Sequence, residues 1–165
     1  MLDSRLVLEA RVRQAALNTG EVFIGFSDVA TDLAIIEGAI CHGDTVTVTL
    51  TASDLVGFLM ASDLTDNSDW HGIYNGGTTT GQTVSTSVDF DAGATAGEFQ
   101  VLRLELFPNG TAEWWVDGVL EQTVTGAVST SVDLCLNVLV ESKTTAVKTL
   151  DIDYIKIWAN RDWTV

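Results

Sequence analysis

Between Phe99 and Val124 the chain alternates apolar and polar side chains and interrupts the alternation twice with tight-turn signals, a pattern suited to antiparallel strands and to little else. Leu102, Leu104 and Leu106 alternate with Arg103 and Glu105 until Pro108-Asn109-Gly110 forces a reversal. Ala112, Trp114 and Val116 then share one face, Glu113 and Trp115 take the other, and Asp117-Gly118 is a two-residue hairpin signal leading into Val119 to Val124. Neighbours in a strand point to opposite faces, so Trp114 and Trp115 must divide between core and surface.

The same grammar extends to the rest of the chain. Arg5 to Arg13 places Leu6, Leu8, Ala10 and Val12 on one face and Arg5, Glu9, Arg11 and Arg13 on the other. Further strands are predicted at Glu21 to Phe26, Leu33 to Glu37, Thr45 to Leu50, Val56 to Ala61, Trp70 to Tyr74, Thr83 to Phe90 and Thr149 to Trp158, separated by Gly, Asn, Asp and Ser turns. Leu134 to Val140 is nearly all apolar, as expected of a strand in the middle of a sandwich. Asn18 and Gly20 end the one helix-like stretch before two turns could form. The expectation is an all-β fold, two stacked antiparallel sheets in a single β-sandwich domain over residues 1–165.

Charge narrows the partners. Eight basic against twenty-three acidic side chains leave a formal charge of −15, which repels nucleic acid and anionic membrane surfaces, so neither is an expected partner. No apolar stretch approaches the roughly 20 residues of a membrane span, and Met1 leads into Asp3 and Arg5 rather than into a signal peptide, which predicts synthesis in a reducing cytoplasm. Cys41 and Cys135 have no metal-ligand spacing; a buried thiol and a Cys41–Cys135 bridge both remain open. Arg5, Arg11 and Arg13 concentrate positive charge on the first strand. With Trp115 and Trp163 they are the candidate protein contacts, the plainer alternative being a solvated strand face.

Two further candidates fall close together. In the loop Asp63 to His71, the side chains of Asp63, Asp66, Asn67 and Asp69 could surround Ca²⁺, a hard cation that takes oxygen ligands; the alternative is a solvated acidic turn bonded to its own backbone. No other cofactor is expected. Trp70, His71 and Tyr74 beside Asn75 could form a platform on which a sugar stacks, although alternation must also turn some of these aromatics inward.

Glu98 to Glu105, Pro108-Asn109-Gly110 and Trp114-Trp115-Val116-Asp117-Gly118 resemble the strand, turn and hairpin of concanavalin-A-like lectins and glucanases, and Leu150-Asp151-Ile152-Asp153-Tyr154-Ile155-Lys156-Ile157-Trp158 resembles their closing strand. The resemblance implies a concanavalin-A-like jelly-roll sandwich. The glucanase branch carries its catalytic acids in a Glu-x-Asp-x-x-Glu strand. Here the nearest approach, Asp151 to Lys156, has lysine at the second acid, so no enzyme activity is expected. A second resemblance, in Glu21 to Asp28, Val56 to Leu59 and Asp69 to Ile73, is to sandwich proteins of tailed-phage virions. It implies a structural protein on the virion surface, a capsid decoration or related component. Such a protein is made in the host cytoplasm, contacts capsid or other virion proteins and assembles as a homo-oligomer. The alternative is a lectin-like module that binds glycan, in a calcium-dependent or independent way.

Overall fold

The computed structural model describes residues 5–30, 38–143 and 145–159. The strands are β1 (Leu6–Gln14), β2 (Gly20–Ser27), β3 (Cys41–Asp44), β4 (Thr47–Leu50), β5 (Leu55–Ala61), β6 (Asp69–Asn75), β7 (Asp89–Gly93), β8 (Phe99–Leu106), β9 (Ala112–Val116), β10 (Val119–Val124), β11 (Cys135–Ser142) and β12 (Leu150–Ala159). They form a front sheet in the order β10-β9-β8-β1-β12, a back sheet in the order β11-β2-β5-β6-β7, and the separate hairpin β3-β4. All paired strands in both sheets are antiparallel. This is a jelly-roll β-sandwich, as the alternation predicts.

The alternation of β1 and β8 decides what fills the space between the sheets. Leu8, Ala10, Val12, Leu102 and Leu104 meet Val22, Ile24, Phe26, Val56, Phe58 and Met60 from the back sheet in one core. Aromatic rings occupy its centre. Phe58 stands edge-on to Trp70 and to Phe90, and Trp114 packs against Tyr74 and Phe90 at 6.0 and 6.5 Å between centroids. Trp114 Nε1 also donates to the Gly57 carbonyl of the back sheet at 2.9 Å, which satisfies the one polar atom of a wholly buried indole.

A second core lies on the other side of the back sheet. Phe23, Leu55, Leu59 and Ile73 project there and are covered by Ile40, Cys41, Val48 and Leu64. Gly25 and Gly57 face each other in the β2–β5 pair, and a Cβ on Gly57 would come within 2.7 Å of the Phe23 ring. The paired glycines leave room for that ring. At the β9–β10 turn Asp117 and Gly118 both take positive φ, 49° and 84°, as a type I′ hairpin turn requires.

Several expectations are corrected. Thr45 to Leu50 is not one strand: Thr45 adopts φ 54°, the chain reverses, and Cys41–Asp44 pairs with Thr47–Leu50. In Thr83 to Phe90, Ser85–Ser87 form a 3₁₀ turn and pairing in β7 begins only at Asp89. Leu134 to Val140 falls in an edge strand rather than a central one, because among the described residues β11 pairs with β2 alone. Its side chains at Leu136, Val138 and Val140 stand opposite the core residues Phe26, Ile24 and Val22, yet remain exposed where the sandwich is open. The predicted strand Leu33 to Glu37 and Trp163 lie outside the described residues.

Both cysteines are free thiols. Cys41 is buried, and desolvation pushes its thiol well above the usual range, with Glu21 and Glu141 adding to the effect. Lys148 is also buried, its Nζ donating to the carbonyls of Ala16 and Leu17 at 2.9 and 3.2 Å, and burial pulls its ammonium down to about 8.

Two outcomes follow from these contacts. Trp114→Ala removes the largest cross-sheet side chain and its bond to Gly57, and is expected to cost about 3–5 kcal/mol in chemical denaturation. Lys148 loses its proton in the folded chain before the unfolded one does, so above about 8 the unfolded chain holds more protons and stability rises with pH. The difference in unfolding free energy between the native protein and Lys148→Met is therefore expected to shift in favour of the native protein between pH 7.5 and pH 10; a flat difference would contradict it.

Candidate functional site

The outer face of the front sheet carries the residues that alternation excludes from the core. Register sets Glu9 opposite Arg103 on one side and Lys156 on the other, Arg103 opposite Trp115, and Glu105 opposite Glu113. Arg5, Arg11, Arg13, Arg103 and Lys156, five of the eight basic side chains in an acidic protein, therefore gather on or beside this one face.

Most of them are engaged within the chain. Arg11 pairs with Asp153 at 2.7 Å and Arg13 with Asp151 at 2.6 Å, while their guanidinium groups lie 4.2 and 4.7 Å from the centre of the Phe99 ring. The two aspartates that resembled a catalytic pair thus serve as counter-ions across the β1–β12 edge. Lys156 lies 4.3 Å above the Tyr154 ring.

A pocket of about 410 Å³ opens in this face, lined by Arg5, Glu9, Val101, Arg103, Glu105, Trp115 and Gly118. Glu105 forms its floor, 2% exposed, and is ion-paired to both Arg5 and Arg103. Arg103 also approaches Glu9 at 3.9 Å, and its guanidinium lies 5.7 Å from the ring of Trp158, which is 42% exposed. Glu9 accepts a hydrogen bond from the Tyr154 hydroxyl at 3.0 Å; desolvation first, then the bond to Glu9 and its charge, push that phenol up. Two guanidinium groups and two carboxylates make the pocket neutral overall. Arg103 Nε and Trp115 Nε1 are buried donors with no hydrogen-bond partner among the described residues. Leaving such a donor unsatisfied costs about 1–3 kcal/mol, so a ligand acceptor that reached either N–H after a small turn of the side chain would be favoured here.

Of the residues singled out from the sequence, Trp115 and Arg5 belong to this pocket; Arg11 and Arg13 flank it around Phe99. Glu9, Arg103, Glu105 and Trp158 were not singled out. The alternation of Val101, Arg103 and Glu105 with Leu102 and Leu104 was visible, but its juxtaposition with Glu9 depends on the β1–β8 register.

The proposed sugar platform does not form. Trp70, His71 and Tyr74 are 1%, 0% and 4% exposed. Trp70 packs on Phe58 and donates to Gln100, and Asn75 donates to the Ala52 carbonyl. Trp70 and Tyr74 pack in the core and His71 is covered on the outer side of the sheet, so none of these three rings is left to receive a sugar.

The predicted Ca²⁺ ligands are likewise redistributed. Asp63 is exposed and accepts from Ser62, while Asp66, Asn67 and Asp69 are half-buried. The side chains whose ligand atoms lie within 4.8 Å of one another are Asp66, His71 and Asp89, a set without Asp63 or Asp69. Desolvation and then the charge of Asp89 push the Asp69 carboxyl up.

No protein-family model and no curated protein matches the sequence. Solved structures do match in three dimensions. The β-glucanase of Bacillus licheniformis superposes with a TM-score of 0.56 at 15% identity, over 96% of this chain and 67% of that one. The alginate lyase of Pseudomonas aeruginosa gives 0.55 at 12%, over 96% and 66%. The chain has the concanavalin-A-like jelly-roll fold. A carbohydrate esterase from the Shiga toxin-encoding bacteriophage phi24B, at 0.52 and 18%, extends the match over 97% of this chain and 70% of that one. The jelly roll thus spans about two thirds of the length of these carbohydrate-active proteins.

The expectation of no enzyme activity is overturned by this company. Proteins described as a glucanase, a lyase and an esterase share the fold over nearly the whole chain. The missing Glu-x-Asp-x-x-Glu strand bears only on the glucanase arrangement, and one fold hosts many chemistries.

Proposed function

We propose that this jelly roll binds a neutral glycan in the pocket between β1, β8 and β9. The observation that carries the reading is the pair of buried donors, Arg103 Nε and Trp115 Nε1, that have no partner among the described residues and belong to side chains that wall the pocket. Sugar hydroxyls both donate and accept. The carboxylates of Glu9 and Glu105 supply acceptors, the guanidinium groups and the indole N–H supply donors, and Trp115 offers an apolar ring surface. Balanced charge inside a protein of net charge −15 favours an uncharged ligand over a polyanion. The carbohydrate-active proteins that share the fold support carbohydrate as the ligand class, and the β-glucanase among them is named for a neutral polysaccharide.

A glycan array followed by calorimetry tests this. Trp115→Ala is expected to weaken binding of a neutral oligosaccharide at least tenfold, about 1.4 kcal/mol. Binding to none of the neutral glycans, or undiminished binding by the variant, would overturn the proposal. Release of new reducing ends by the native protein, lost in Glu105→Gln, would extend it from binding to cleavage.

A second reading is a surface component of a tailed-phage virion that assembles through copies of itself and contacts capsid proteins. Its support is the open sandwich edge. Leu136, Val138 and Val140 of β11 and Ile152 and Ile157 of β12 are 37–45% exposed although they face the core side of their sheets. The fold match to the phage esterase is consistent with it. Light scattering is expected to show an oligomer that Val138→Glu dissociates, and the protein is expected to co-purify with particles; a monomer absent from particles would dispose of this reading.

A further inference from the structure

We infer that the back sheet holds a divalent transition-metal site formed by Asp66, His71 and Asp89. His71 and Ile73 alternate with the core residues Trp70 and Tyr74 along β6, so the imidazole projects from the outer side of the back sheet. It is nonetheless 0% exposed, and both Nδ1 and Nε2 lack a hydrogen-bond partner among the described residues. Asp89 is its register partner on β7. Asp66 approaches from the 62–68 loop, held there by the bond from the Asp69 N–H to its carbonyl, and its Oδ2 is also buried and without a partner among the described residues.

An imidazole in the interior ordinarily gives its N–H to a carboxylate or carbonyl and accepts at the other nitrogen. Here two carboxylates stand close by and neither is bonded to it. The three ligand atoms lie within 4.8 Å of one another. A shared cation accounts for such a spacing: ligand atoms each about 2.0–2.2 Å from one metal stand roughly 3–4 Å apart, which a small inward movement of the loop would achieve. The donor set selects the cation. One imidazole nitrogen with carboxylate oxygens suits Zn²⁺ or Mn²⁺, whereas Ca²⁺ takes oxygen alone. The ion would tie the 62–68 loop to the β6–β7 edge, on the side of the sandwich opposite the pocket of the front sheet, so the inference stands independently of glycan binding.

Protein stripped with a chelator and titrated with Zn²⁺ and with Mn²⁺ provides the test. One equivalent of at least one of them is expected to bind per chain, and at a hundredfold excess over its Kd to raise Tm by about 5–10 °C. Asp89→Asn, nearly isosteric at a half-buried position, and His71→Gln are each expected to weaken binding at least tenfold while the stripped Asp89→Asn protein keeps the native circular dichroism. Absence of stoichiometric binding, binding unchanged in Asp89→Asn, or tighter binding of Ca²⁺ than of either transition ion would overturn the assignment.

Discussion

The bond between the Trp114 indole and the Gly57 carbonyl joins the two sheets at the centre of the core, and the outer surface depends on it. With Trp114 held inward among Tyr74 and Phe90, the pleat of β9 leaves Trp115 no choice but the opposite face. That places an indole beside Arg103, its register partner on β8, and forms one wall of the pocket. Core packing and site construction are consequences of the same constraint.

The outer face of the front sheet solves an electrostatic problem. A chain of net charge −15 places five of its basic side chains here, and four of them are paired with carboxylates of β1, β8 or β12. Exposed pairs such as Arg11–Asp153 add little stability. Glu105 differs, since a buried carboxylate needs guanidinium partners, and losing both Arg5 and Arg103 would leave its charge without compensation. With Glu9 the pocket is neutral overall, while the donors that have no partner among the described residues are left to a ligand.

The back sheet distributes polar groups differently. Its outer side is covered by the β3–β4 hairpin and the 62–68 loop, so residues that alternation alone would assign to solvent become interior. His71 is the clearest case. Covering it without a hydrogen-bond partner among the described residues is tolerable when something else occupies its nitrogens, and the carboxylates of Asp66 and Asp89 frame the place for it.

Local chemistry in the sequence determined the strand class, the hairpins at Pro108-Asn109-Gly110 and Asp117-Gly118, and the division of Trp114 from Trp115, because side-chain alternation and turn conformation are properties of adjacent residues. The concanavalin-A-like architecture was legible through Phe99 to Trp158 for the same reason. Tertiary structure alone decided that β1 lies between β8 and β12, that Glu9 meets Arg103, that β11 is an edge, and that Trp70, His71 and Tyr74 are buried. Alternation defines two faces but not what covers either one. That depends on the pairing of strands distant in the chain and on which loops fold over them, and neither is written in a local pattern.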